Sequence, residues 1–493
     1  MRTTDLLKRA AEKYADSVAV SGIDNSLTYE ELYKTARMIG TNIAGMCTSH
    51  TAVPVFLEKS PETLASYYGI AMAGCAYVPI SGEQPNARVE KILEVLQADI
   101  VITDGAGAER IGELGFSGRV ILIEELIKGT IDEALLDQRE ETSTDDDTLY
   151  VMFTSGSTGN PKGVEISHKS VIQFIGHFVE TFDLKADDRF GNQAPFDFDV
   201  SVKDIYSAVT VGAELVLIPK EYFAIPPKLI DYICDRELTT LIWAVPALCI
   251  ISAMKGFEYR IPDKLRNVMF SGQAMPIKQL IRWQDAVPNA KYVNLYGPTE
   301  ITCNCMYYKI DKKFELTDKL PLGNIFQGRD VNIVDDNGNE IKEKNKPGEI
   351  YVFGESLAKG YYNNPKETDK KFVTIFGQRA YRSGDMAEYG DDGVLYFGGR
   401  CDFQIKHMGH RIELEEVEAS VMSIDGVESC CCTYNKEKQR MTAFYTGTKE
   451  KTELRVELKD KLPAYMIPNK FNNLLSLPLL KNGKVDRQLL TTM

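Results

Sequence analysis

With 493 residues the chain is too long for one hydrophobic core, and two or three lobes are expected. An apolar fraction of 44% with 10% aromatics excludes a disordered chain. Acidic residues outnumber basic ones, 71 to 57, and the net charge of −14 argues against nucleic acid as the main partner.

Along the chain, Met1 to Lys13 is charged and amphipathic, without the apolar core of a signal peptide. Pro61 to Met72 and Ala87 to Leu96 read as helices, and Val120 to Ile123 as a strand. The acidic run Glu140 to Asp147 reads as an exposed connector into the strand Leu149 to Thr154. Further on, Ala213 to Pro219 and Val331 to Val334 read as strands, and Pro227 to Asp235 and Pro276 to Asp285 as helices. The apolar run Leu241 to Met254 is too short to span a bilayer at about 1.5 Å per residue. This alternation predicts α/β layering with largely parallel sheets. Beyond the turn Asp391-Asp392-Gly393 the texture changes, with helices expected over Glu415 to Ser423 and Glu453 to Lys461. We therefore expect a core domain over 1–399 and a small α+β domain over 400–493, with a site that closes about the hinge between them. The ten cysteines lack zinc-ligand spacing, so free thiols and a cytoplasmic location are expected.

Leu149 to Gly163, LYVMFTSGSTGNPKG, runs from an apolar strand into a loop dense in Thr, Ser and Gly, ending in Pro161-Lys162-Gly163. Hydroxyls and glycine amides can wrap phosphate oxygens, and a lysine supplies countercharge. The order of residues is not that of a P-loop. A polar turn is the alternative.

That loop resembles the phosphate loop of the adenylate-forming superfamily, which includes acyl-CoA synthetases, luciferases and adenylation domains of nonribosomal peptide synthetases. The likeness recurs in family order along nearly the whole chain. It includes Leu27 to Leu32, Ala73 to Pro79, Asn294 to Glu300, Tyr381 to Asp385, Gly399 to Lys406 with Arg411 to Leu414, Leu462 to Pro468, and Asn482 to Arg487. It implies a large N-terminal domain of layered α/β subdomains, a small mobile α+β C-terminal domain, and the use of ATP and Mg2+. By the same resemblance Thr154, Ser155, Gly156, Ser157, Thr158, Gly159 and Lys162 meet phosphates. Asn294, Tyr296, Gly297 and Phe397 lie about the adenine, Asp385 takes the ribose hydroxyls, and Arg400 meets the nucleotide. Thr299 and Glu300 belong to the magnesium motif, Asp402 is the hinge, and Lys484 is the catalytic lysine that bridges the carboxylate and the α-phosphate. Unaided, Lys484 would read as a surface charge, Glu300 and Asp385 as a helix-end charge and a turn cap, and the aromatics as core.

Phe196 to Ser201 resembles the motif whose aspartate pairs with a substrate α-amino group, and Asp199 is the matching position. An amino-acid pocket needs that carboxylate, because a buried ammonium without a partner is costly. A helix cap is the alternative. Lys203, Ala244, Met269, Ser271, Leu295, Cys303 and Asn304 match other pocket positions. The chain most resembles stand-alone D-alanine–carrier-protein ligases, but these carry an apolar residue at Lys203 and a cysteine at Ser271. Lys203, Ser271 and Asn304 together suit an acidic or otherwise polar side chain, while Lys203 could equally pair with Asp199 one helical turn earlier. No Gly-Gly-x-Ser carrier site is present, so the expected acceptor is a separate phosphopantetheinylated carrier protein or coenzyme A. Neither nucleic acid nor membrane insertion is expected.

Overall fold

A computed structural model describes residues 1–156, 160–479 and 485–493. The chain divides into two compact units. The first comprises Met1–Ser81, Ala98–Met152 and Val164–Cys401, and the second Gly82–Gln97, Phe153–Gly163 and Asp402–Met493.

In the first unit, nine strands form a sheet whose middle six are parallel, in the order Lys291–Tyr296, Asn267–Ser271, Thr240–Ala244, Arg189–Asn192, Glu214–Leu217, Val18–Ser21. Ser26–Thr28 closes one edge antiparallel, and Met306–Ile310 with Asn324–Ile325 closes the other. Thr240–Ala244 and Asn267–Ser271, inside this sheet, are buried along their whole length, as parallel strands covered on both faces are. Ile242, Met269, Val293 and Leu295 face one core, shared with Val202, Ile205 and Tyr206 of helix Val200–Val211. Leu241, Trp243, Val268 and Phe270 face a second, shared with Leu229, Leu248, Leu280 and Trp283 of three helices. A seven-stranded sheet and a five-stranded antiparallel sheet complete the layering.

Local chemistry explains the element starts. Ser60 caps helix Pro61–Met72 by accepting from the Thr63 amide, with Pro61 in the first turn. Thr28 and Glu31 form a capping box at the head of helix Tyr29–Ala44. The expected strands and helices appear within a few residues of their predicted bounds, with one clear correction. The acidic run from Glu140 does not begin a connector, because helix Glu133–Thr142 extends into it, started by an Asp132 cap on the Leu135 amide. Arg139 inside that helix donates to Ala44 O, Cys47 O and Ser49 Oγ, and these bonds outweigh the local polarity.

In the second unit the hairpin Gln404–His407 with His410–Glu413 leads into helix Leu414–Met422. A sheet of Val427–Asn435, Arg440–Gly447 and Lys470–Asn473 packs on a core of Val417, Val421, Cys432, Met441 and Tyr445. Among the described residues no helix is long and apolar enough to cross a membrane.

Candidate active site

Ala244 and Ser271 end their parallel strands, and Tyr296 ends the next, so the candidate residues of the first unit gather at the carboxyl ends of the sheet. Ligands of open α/β sheets bind at such ends.

On one side stands Asp385, 2% exposed, inside strand Gln378–Tyr389. One of its oxygens accepts from Arg400, the other from Tyr296 OH at 2.6 Å. Arg400 also donates to Ser383 O. The turn-cap alternative fails, since the residue lies in a strand after Gly384, which takes the left-handed conformation at φ +76°. Each carboxylate oxygen has two acceptor sites, so both can still accept from a sugar hydroxyl. Phe397 is 40% exposed, its ring 6.5 Å from that of Tyr296. Asn294 is buried and donates to Pro321 O.

Glu300 lies in the 3₁₀ turn Thr299–Ile301, fully buried, and accepts from Tyr361 OH at 2.6 Å. It is therefore no surface helix-end charge. Gly297 is required by close packing. A Cβ there would lie 2.5 Å from Asn304 Cα and 2.6 Å from Cys303 O. Beyond it Thr302 and Cys303 adopt positive φ, 60° and 67°, a costly conformation for residues with a side chain. Thr302 Oγ1 is tied to Ser356 O at 2.7 Å, and Cys303 Sγ donates to Asp199 O at 3.3 Å.

On the other side, Asp199 occupies the cap position of helix Val200–Val211, yet its side chain makes no capping hydrogen bond. The helix-cap alternative is thereby removed. Lys203, one turn on, is 1% exposed, and its ammonium donates to Ser271 Oγ at 3.2 Å and Asn304 Oδ1 at 2.9 Å. The structure thus brings together the three polar residues grouped in the sequence. Burial pushes the Lys203 ammonium below its ordinary range. Burial likewise raises the Cys303 thiol far above its ordinary value, so it stays neutral. Met269 and Leu295 are buried beside these groups on the same face of the sheet, and Ala244 is buried at its rim.

In the second unit, Ser155 Oγ donates to Arg411 O, and the Gly156 amide to Glu416 Oε2, each at 2.9 Å. Glu416 also pairs with Arg88 at 2.7 Å. A carboxylate thus holds an amide that the resemblance gives to phosphate. Thr154 Oγ1 is buried without a partner among the described residues, and a Cβ on Gly156 would collide with Asn160 O. Lys162 is buried at the start of strand Lys162–Ser167. Asp402 accepts from the Gln404 amide. Ser157, Thr158, Gly159 and Lys484 lie outside the described residues.

Residues 7–362 match a family described as AMP-binding enzyme. The chain belongs to that family. This AMP-binding enzyme is 31% identical to the D-alanine–D-alanyl carrier protein ligase of Listeria monocytogenes, over 99% of both chains. It is also 31% identical to tyrocidine synthase 1 of Brevibacillus parabrevis, over 98% of this chain and 44% of that protein. An adenylation domain from Vibrio cholerae, solved in complex with glycyl-adenosine-5'-phosphate, shares the fold at TM-score 0.85 and 23% identity, covering 100% of this chain and 98% of that one. The chain is an ATP-dependent, AMP-forming ligase with the expected α/β fold.

Sequence reasoning missed Tyr361, whose hydroxyl meets Glu300 from 61 residues away. The Gly-Tyr-Tyr run at 360–362 was its only local mark. It also missed Arg329, which lies over the Phe174 ring at 4.7 Å and donates to Thr302 O at 3.5 Å, behind the strained turn.

Proposed function

We propose that the enzyme activates an amino acid as its aminoacyl-AMP and passes the aminoacyl group to the phosphopantetheine thiol of a separate carrier protein, in the cytoplasm. The observation that carries the amino-acid reading is Asp199, a carboxylate at the head of a helix that it does not cap, beside a buried acyl-side cluster. There it would pair with the substrate α-ammonium.

In the first half-reaction a substrate carboxylate oxygen forms a bond to the ATP α-phosphorus as the bond to pyrophosphate breaks. Two anions meet, so the site must neutralise charge that grows in the transition state. Lys484 bridges the carboxylate and the α-phosphate oxygens, while Lys162 and the Thr/Ser/Gly loop hold the outer phosphates. Asp385 and Arg400 fix the ribose, and Tyr296 with Phe397 flanks the adenine. Glu300, a hard carboxylate donor, fits Mg2+, which would supply charge neutralisation on the phosphates. In the second half-reaction the carrier thiolate attacks the carbonyl carbon of the mixed anhydride, and AMP leaves. The C-terminal segment from Arg400 acts as a lid that swings about Asp402, removing Lys484 and presenting the stretch Lys406 to Gly409 to the thiol.

A second reading, D-alanine as substrate, is favoured by the full-length likeness to D-alanine–D-alanyl carrier protein ligases. Both are tested by amino-acid-dependent ATP–pyrophosphate exchange across L-amino acids and their D-enantiomers. Exchange is expected with an amino acid and is expected to fall by about 10²–10³ in Lys484→Ala. Exchange with D-alanine alone would make the second reading correct, and silence across the panel would overturn both.

A further inference from the structure

Lys203 is buried to 1% exposure, and the two acceptors that meet its ammonium are both neutral, Ser271 Oγ and Asn304 Oδ1. An ammonium has three donors, and a buried one is costly unless a carboxylate compensates its charge. Asp199 and Asp204 favour the ammonium from nearby, yet burial outweighs them, so the neighbouring groups do not supply that charge in full. Cys303 is a neutral thiol. Asp204 follows Lys203 directly, and consecutive helix side chains diverge. Its Oδ2 is taken by Asn192 Nδ2 at 2.8 Å, and burial raises its pKa to about 7, which leaves it partly protonated at neutral pH.

Asp199 lies four residues before Lys203, on the same face of helix Val200–Val211 and one turn away, about 6 Å along the axis. The helix thus displays an anion and then a cation along one face. An α-amino acid with a second carboxylate displays the reverse, an ammonium and then an anion a few bonds away. Met269 and Leu295 give an apolar wall for the methylenes between, and Ala244 leaves room at the rim.

We infer that the acyl site takes a dicarboxylic α-amino acid, with its α-ammonium at Asp199 and its side-chain carboxylate at Lys203, the lysine being held in place by Ser271 and Asn304. The inference rests on the reading of the chain as an amino-acid-activating ligase and names the substrate class of that same site. An alanine methyl would leave the buried cation as unmatched as before.

The test is ATP–pyrophosphate exchange by the full chain with both enantiomers of aspartate, glutamate and 2-aminoadipate, set against asparagine, glutamine, methionine and alanine. One dicarboxylic acid is expected to exceed its neutral isostere by about 10²-fold in kcat/KM. Lys203→Met is expected to lose about 10²–10³-fold on the acid, the scale of unpairing a buried charge, and with it the preference for the acid over its neutral isostere. Lys203→Gln serves if the methionine variant does not fold, and the wild-type panel stands without either. An uncharged best substrate, D-alanine included, would overturn this inference and leave amino-acid activation intact. So would a Lys203 variant that ranks acid and amide as the wild type does. Silence with every amino acid would overturn the activation reading and this inference with it.

Discussion

Asp385, inside strand Gln378–Tyr389, and Lys203, in helix Val200–Val211 of the same unit, are buried to nearly the same degree, 2% and 1% exposed, and they differ in what meets them. Asp385 faces a cation and a phenol, Arg400 and Tyr296. Lys203 faces two neutral oxygens. The Asp385 cluster matches its charges within the chain, and they support the fold. The Lys203 ammonium is met by neutral acceptors, and under the inference above a substrate carboxylate would complete it and supply selectivity.

The contrast breaks first at Asp385. Asp385→Ala leaves Arg400, with 10% of its side chain exposed, without its anion. We expect a loss of about 3–5 kcal/mol by urea unfolding, and a loss near zero would erase the distinction. Tyr296→Phe removes one donor to the same carboxylate and is expected to cost about 1.5–3 kcal/mol in the same assay, with a rise in KM for ATP. Lys203→Met sharpens the contrast from the other side. Removing a buried cation recovers its desolvation while Ser271 and Asn304 lose a donor, so stability is expected to change by about 1 kcal/mol or less. A loss as large as that at Asp385 would show Lys203 to be a structural charge.

The fold and the family were legible in the chain because adenylate chemistry constrains short runs of sequence. Phosphate contact needs small, hydroxylated residues next to one another, and a substrate ammonium needs a carboxylate at one defined position. The grouping of Lys203, Ser271 and Asn304 was visible as well, while the competing pairing of Lys203 with Asp199 could not be weighed without coordinates. Contacts made across long stretches of chain were not legible. Tyr361 on Glu300 joins buried side chains from separate elements that share no spacing. Glu416 on the Gly156 amide is another such case, since a glutamate early in a helix reads as an ordinary first-turn charge. The run from Glu140 was misread because composition reports local polarity, whereas Arg139 draws its partners from residues ninety or more positions earlier.

The turn at Gly297 places the two clusters on one short piece of backbone. Tyr296 serves the first and Asn304 the second. Between them no side chain fits at Gly297, and the Cys305 amide returns to Tyr296 O at 2.8 Å. For a lineage changing its substrate, the routes are unequal. Lys203 and Ser271 sit on a separate helix and strand, where exchanges can accumulate one at a time without displacing Tyr296 from Asp385. Any change of backbone path between 297 and 304 moves both clusters together. Relatives with different acyl preferences are therefore expected to vary at the helix and the strand while keeping the length of this turn.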